Sequence, residues 1–332
     1  MSKFNTPIKI GKLEVKNRLV MPPMATAKAS ETGAVTQALC DYYDEKSSGG
    51  YIGLVITEHL FVSVEGKAGK GQLSIATDED ISGLERLTRI IHKNGSKVMA
   101  QISHAGGAAK KEITGKTVMG ASSVEMPRTK TQPVEMDRQD ILKVIEDFAA
   151  AALRAQQAGF DGVEIHSAHG YLLNQFYSPL TNKRTDEYNA DTLSSRLKLH
   201  TEIIKRVRNL VGQDYPIAVR LGACDYIEGG STLCDGVEAA TILEQAGVDL
   251  LDISGGFCGY IRPGAREQGY FSELTEPIKK ATAIPVILTG GITDATVAEA
   301  LLLENKADLI GVGRAILKDS LWAKQAIAIS AM

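Results

Sequence analysis

Short runs of β-branched and aliphatic residues recur along the chain, separated by longer stretches whose apolar positions fall three and four residues apart. The runs are NRLVM (17–21), IGLVITE (52–58), KVMAQIS (97–103), GVEIH (162–166), PIAVRL (216–221), DLLDIS (249–254), PVILTG (285–290) and DLIGVG (308–313). Runs this short and this apolar predict strands buried on both faces, the mark of a parallel sheet. The stretches between them predict helices. In DILKVIEDFAAAALRAQQAG (140–159), Ile141, Val144, Ile145, Phe148 and Ala152 form one stripe at helical spacing. Gly159 closes that helix just before the next strand, and Gly247 does the same in ILEQAGVDLLDI.

Eight such strand and helix units predict an α/β fold, a (β/α)8 TIM barrel. An open doubly wound sheet fits less well, because no GxGxxG turn follows the first strand. Two segments depart from the repeat. KIGKLEV, ahead of the first strand, predicts a hairpin plugging the barrel floor. Residues 104–139, including KKEITGKTVMGASSVEMPRTKTQPVEM, are too long for an ordinary connection and predict a lid after the third strand. No composition shift or second repeat marks a boundary, so the expectation is one TIM-barrel domain over residues 1–332.

Composition narrows the partners. With 44% hydrophobic and 23% charged residues, the chain is of ordinary globular type. A net charge of -3 without a basic cluster argues against nucleic acid. No signal-like stretch opens the chain and no run is long enough to cross a bilayer, so no membrane partner and a cytoplasmic location are expected. Cys40, Cys224, Cys234 and Cys258 lack CxxC spacing and read as thiols. The expected partner is a small molecule, and self-association as a homo-oligomer stays open.

In a barrel of this kind, chemistry sits where the C-terminal strand ends meet. His59, His104, His166 and His169 follow the second, third and fourth strands, whereas His92 and His200 fall within helices and read as structural. A metal site is the first reading of such a cluster, but the first strand ends in MPPMAT and no carboxylate joins His166 and His169 in their own segment. No lysine stands at a strand end to form a Schiff base. ILTGGI and LIGVGRAIL put Gly291, Gly313 and Arg314 where barrels bind phosphate, though tight turns and a helix cap would give the same pattern. Arg220 interrupts an apolar run and needs a counter-charge, either a bound cofactor at the mouth or Glu164 across the barrel. Gln101 could read the polar edge of a ring. Asn182, Arg184 and Asp186, in the polar tail behind His169, read as a network shaping their own loop, and Cys224 and Cys258 as small buried side chains.

Taken together, NRLVMPPMAT, QISHAGG, DGVEIHSAHGYLLNQFYSPLTNKRTDEY, PIAVRLGA and TGGI followed by GVGRAI resemble the Old Yellow Enzyme family of FMN-dependent ene-reductases, also called NADH:flavin oxidoreductases. The resemblance spans nearly the whole chain, and the barrel domain of 2,4-dienoyl-CoA reductase is similar too. It implies FMN across the mouth, with Pro23, Met24 and Ala25 behind the ring, His59 and Gln101 among the residues lining it, and Arg220 near N1. The phosphate would lie at Gly291, Gly313 and Arg314. His166 and His169 would bind the carbonyl oxygen of an α,β-unsaturated substrate, Tyr171 would donate the proton, and NADH or NADPH would reduce the flavin first in a ping-pong cycle. Ala25 stands where one subgroup has a cysteine, Gly107 where an arginine is common, Asn189-Ala190 where Gly-Gly is usual, and His59 where a small residue is common. Longer relatives continue into a cysteine-rich Fe–S segment; none follows here, so electrons are expected directly from a nicotinamide or a donor protein. The competing readings are a flavin-dependent C–N dehydrogenase or partner-dependent flavoprotein subunit, a metal-dependent barrel hydrolase or isomerase, and a non-catalytic binding protein.

Overall fold

The computed structural model describes residues 2–329. Strands β1 (Ile8–Ile10) and β2 (Leu13–Val15) form an antiparallel hairpin. β3 (Leu19–Met21), β4 (Leu54–Phe61), β5 (Lys97–Ser103), β8 (Gly162–Ser167), β9 (Ile217–Cys224), β10 (Leu250–Gly255), β11 (Val286–Thr289) and β12 (Leu309–Gly311) close, all parallel, into a barrel. The predicted (β/α)8 TIM barrel and its hairpin are therefore present. Helices alternate with the strands; the one predicted at 140–159 runs Arg138–Gln157, opened by Asp137, whose carboxylate accepts from Gln139 and Asp140 N–H.

Residues paired in register share one face of the barrel, so its interior can be read strand by strand. Its lower part is apolar: Val20, Leu54, Ile56, Met99, Ala218, Leu250, Ile287 and Leu309 pack together and against Ile10 and Val15 of the hairpin. Each such aliphatic side chain contributes roughly 1.5–3 kcal/mol by leaving water. Two positions further along the strands, the same face turns polar, with Gln101, Arg220, Asp252 and Thr289 following Met99, Ala218, Leu250 and Ile287.

β4 departs from this simple alternation. Its pairing with β5 runs Ile56↔Met99 and then His59↔Gln101, so β4 holds one extra residue in the interval. The bulge aims His59 inward beside Gln101 and carries β4 on to Phe61, beyond the predicted end.

The long segment after β5 has structure of its own: a short helix Lys111–Thr114 and the two-residue strands β6 (Met119–Gly120) and β7 (Val134–Glu135), which pair. Arg184 holds it down. Its Nη1 donates to the carbonyls of Ala121 (2.9 Å) and Met136 (2.8 Å), while Nε and Nη2 grip Asp186 at 3.0 and 2.6 Å. Asn182 Nδ2 donates to the carbonyls of Phe176 and Tyr188, both at 2.8 Å, as expected of a loop-shaping network.

Candidate active site

At the C-terminal ends of the strands lies a cleft of about 700 Å³. The residues that the family resemblance assigns to the site all line it: Pro23, Met24 and Ala25 behind β3, His59, Gln101, His166, His169, Tyr171, Arg220, Gly291, Gly313 and Arg314. His104 does not; its Nδ1 turns back to accept from Gly106 N–H at 3.0 Å. The two helical histidines are structural, His92 bonding Asp161 at 2.7 Å and His200 bonding Ser167 at 2.8 Å.

The segment HSAHGYLLNQ folds around its own amides. Gly170 N–H donates to Asn174 Oδ1 at 2.8 Å, and Gln175 Nε2 donates to the carbonyls of Gly170 (2.8 Å) and Ala105 (3.0 Å). Both amides are on the helix Leu172–Tyr177, which thereby pulls the loop back over the strand end. His169 is held at φ +59, a left-handed conformation that only a well-determined surrounding sustains in a non-glycine residue. The ring centroids of His166 lie 5.1 Å from those of His169 and 4.9 Å from Tyr171.

A backbone hydrogen bond assigns the proton of His166. Ala168 N–H donates to His166 Nδ1 at 3.2 Å, so Nε2 carries the hydrogen and is free to donate into the cleft. His169 Nε2 lies 2.8 Å from Ser254 Oγ; with the hydroxyl donating, Nδ1 carries the hydrogen. Burial holds both imidazoles well below the usual histidine range, and Arg220 lowers them further, so both are neutral donors at neutral pH. Burial also raises the Tyr171 phenol, keeping it protonated. Its hydroxyl meets His59 Nε2 at 3.3 Å, and burial with Arg220 lowers His59 to about 4.

The carboxylate beside Arg220 is not Glu164 but Asp252, its neighbour in register, with Nε 3.3 Å from Oδ2. Glu164 Oε1 instead accepts from Gln101 Nε2 at 2.8 Å. Asp252 and Ser254 went unnoticed in the sequence because DLLDIS reads as an apolar strand with unremarkable polar positions; only the inward phase shared with Leu250 gives them away. Phe257, Tyr260 and Tyr270, from the connection behind β10, and Met126 and Arg128 from the lid also line the cleft. Gly107 lies under the lid, where a Cβ would stand 2.9 Å from Met126 Sδ, so an arginine there would displace it. Asn189 is away from the cleft and caps its own loop, accepting from Asp191 N–H at 2.9 Å.

The cleft fits FMN by its own geometry. Gly291, at φ +69, would place a Cβ 2.8 Å from Tyr270 Cε1, and Gly311 would place one 2.1 Å from Thr289 Oγ1. The backbone at both strand ends is thus bare toward the cleft, and Arg314 stands beside it with Nη2 donating to the Tyr270 hydroxyl at 3.2 Å. Deeper down, Arg220 Nε and Thr289 Oγ1 are buried without hydrogen-bond partners, as donors awaiting the polar edge of a ring would be. Among the described residues no group of three or more His, Cys, Asp or Glu is arranged to hold a metal, and no helix is long and apolar enough to cross a membrane.

Residues 3–328 match the model of the NADH:flavin oxidoreductase / NADH oxidase family. The chain is 41% identical over 324 residues to an NADH oxidase of Thermoanaerobacter brockii, covering 96% of this chain and 50% of that one. It is 36% identical over 325 residues to an NADPH dehydrogenase of Bacillus subtilis, covering 98% and 94%. A 2-naphthoyl-CoA reductase structure superposes with TM-score 0.92 at 29% identity, covering 98% of this chain and 52% of that one. The chain thus spans about half the length of the first of these relatives and nearly all of the second.

Proposed function

The chain belongs to the NADH:flavin oxidoreductase / NADH oxidase family, an FMN family with NADH or NADPH as reductant, and from that premise we propose that it reduces the activated C=C bond of α,β-unsaturated carbonyl compounds. When bound, FMN supplies hydride transfer, first from the nicotinamide and then to the substrate β-carbon. The residues of the chain do the rest. His166 Nε2–H and His169 Nδ1–H donate to the carbonyl oxygen, where negative charge grows as hydride arrives. Donors aimed at that atom stabilise the transition state more than the ground state. Tyr171, held protonated by burial, delivers a proton to the α-carbon. Arg220 would stand where it can stabilise negative charge on the reduced ring, and Gly291, Gly313 and Arg314 would hold the phosphate.

The observation that carries this reading is the convergence of two imidazoles and one phenol in a single cleft, where burial disfavours the charged form of each. Neutral donors suit a carbonyl oxygen, whereas bases able to take a proton from an amine substrate would need higher pKa values. Anaerobic stopped-flow tests it: NADH or NADPH should bleach the flavin absorbance, and an enone should restore it. Bleaching by amines but not by nicotinamides would point instead to C–N dehydrogenation, and colourless protein that takes up no FMN would sink the proposal.

A further inference from the structure

Directly beneath the donors, the polar layer of the barrel holds two carboxyl groups and one guanidinium. Glu164 and Asp252 are fully buried and Arg220 is 5% exposed. Gln101 satisfies Glu164 Oε1, but among the described residues Glu164 Oε2, both oxygens of Asp252 and Nε of Arg220 have no partner in full hydrogen-bond geometry, Thr289 being the nearest hydroxyl to Asp252. The 3.3 Å approach of Arg220 to Asp252 is an ion pair without hydrogen-bond alignment. Below them lie only Met99, Ala218, Leu250, Ile287 and the rest of the apolar floor. From the neighbouring strands come His59, Gln101, His166 and Thr289, none of them a second cation, since burial, and after it Arg220, holds both histidines below the usual range.

Two ionised carboxylates against one guanidinium would leave a net negative charge in this low-dielectric interior. The cost of that uncompensated charge exceeds the cost of keeping a proton. We infer that Glu164 and Asp252 hold one proton between them, so that with Arg220 they form a floor of zero net charge at neutral pH, which turns anionic when that proton leaves. Burial raises both carboxyl groups, Asp252 raises Glu164 further, and Arg220 draws both back down. The retained proton also supplies a donor among oxygens whose neighbouring side-chain donors are Gln101, Thr289 and Arg220. Glu164 and Asp252 are positioning residues: they act on a ligand through Arg220, by setting how much of its charge is left uncompensated.

The consequence for the bound flavin rests on the FMN reading above. Replacing one carboxyl group by its amide leaves the other free to ionise against Arg220, so the net charge at neutral pH is unchanged. Replacing both leaves the guanidinium uncompensated, which favours the anionic reduced ring.

The proton itself is tested by infrared spectroscopy of the purified holoprotein. Wild type should show a protonated-carboxyl carbonyl band at neutral pH that is lost in one titration step on raising the pH. The band should be missing from both Glu164→Gln and Asp252→Asn; Glu58, itself raised to about 7, adds a band common to all three proteins, which the differences remove. Absence of a band unique to wild type overturns the inference, as does its persistence in either variant. If a variant fails to fold, the wild-type titration still decides: more than the Glu58 band at neutral pH supports a retained proton, and Glu58 alone refutes it. The coupling is read from the midpoint potential of the bound flavin at neutral pH. Each single variant should stay within about twofold of wild type in its ratio of reduced to oxidised flavin. The double variant should gain at least tenfold, a rise of about 30 mV for a two-electron couple. A single variant that shifts as far as the double one refutes the shared proton. A protein that binds no flavin would refute the functional reading and leave the infrared result to stand alone.

Discussion

Ser254→Ala removes one hydroxyl that reaches no substrate atom in the proposed mechanism, yet it should slow alkene reduction through His169. The Ser254 Oγ lies 2.8 Å from His169 Nε2, and in the proposed mechanism it donates there so that the proton stands on Nδ1. A neutral hydrogen bond of this kind is worth about 1 kcal/mol net, which corresponds to roughly fivefold in rate. His169→Ala removes the donor itself, and losing one donor to a developing oxyanion costs about 2.7–4 kcal/mol, or 10²–10³-fold. Because the hydroxyl acts only by orienting the ring, the two losses should not add. The double variant should match His169→Ala within about twofold, the usual scatter for independent sites being roughly 0.3–0.5 kcal/mol. The assay is anaerobic stopped-flow of prereduced protein against an enone, which isolates the second half of the cycle. Nitrogen-15 NMR of labelled histidine adds a readout that simple loosening would not give, since the protonated nitrogen of His169 should cease to be uniquely Nδ1. A double variant slower than His169→Ala by another fivefold would refute the tautomer argument, because Ser254 would then be acting on something else.

Tyr171→Phe should slow the enone half-reaction by about 10²–10⁴-fold while flavin reduction by NADPH stays within a few fold, measured in the same instrument; equal slowing of both halves would deny Tyr171 the role of acid. Gly291→Val forces a β-branched residue into φ +69 with its Cβ 2.8 Å from Tyr270, and FMN affinity by fluorescence titration should fall at least about a hundredfold with the fold retained by circular dichroism. Burial raises Glu58 to about 7 although Thr26 Oγ1, donating at 2.5 Å, pulls it down. A raised carboxyl group favours the protonated folded state, so its stabilisation is complete below the unfolded value of 4.5 and is lost as pH rises through about 7, a change of order 3 kcal/mol. Urea unfolding at pH 4.5 and pH 8 should show Glu58→Gln lacking that alkaline loss, and parallel wild-type and variant curves would contradict it. Arg184→Met strips two buried carbonyls of their donor at about 1–3 kcal/mol each, so amide exchange over residues 119–136 should quicken while the barrel strands stay protected.

The strands were legible because burial on both faces leaves no alternative to short apolar runs, as in KVMAQIS and PIAVRL. The lid was legible only as an excess of chain length. Its fastening depends on Arg184 reaching carbonyls 48 and 63 residues away, and such contacts leave no periodic trace. His104 shows the limit of counting residues at strand ends: it stands at the mouth, but the turn that follows offers its ring a backbone N–H, and it looks away from the cleft. Arg220 faces the cleft, one of its two expected settings, but the alternative partner Glu164 gives way to Asp252 for a related reason. Glu164 lies two strands away from Asp252, and only the register β8–β9–β10 decides which carboxyl group stands beside the guanidinium.

That register nevertheless follows a rule visible in the residues. On β5, β9, β10 and β11 the inward face reads Met99 then Gln101, Ala218 then Arg220, Leu250 then Asp252, Ile287 then Thr289, an apolar residue followed two positions later by a polar one. On β12 the same step runs from Leu309 to Gly311, where a side chain would collide with Thr289. A side chain one pleat lower would be sealed among aliphatics and could neither meet a ligand nor keep a charge. One pleat higher lie Ser103, Gly222 and Ser254, still within β5, β9 and β10, where Ser254 meets His169 rather than the polar layer. The inward position between these two levels is therefore where the apolar floor gives way to polar chemistry, and Asp252 occupies it as surely as Arg220 does. His59 reaches the same level only because β4 carries an extra residue, so the bulge is what adds a histidine to a layer that regular alternation would have closed with Glu58.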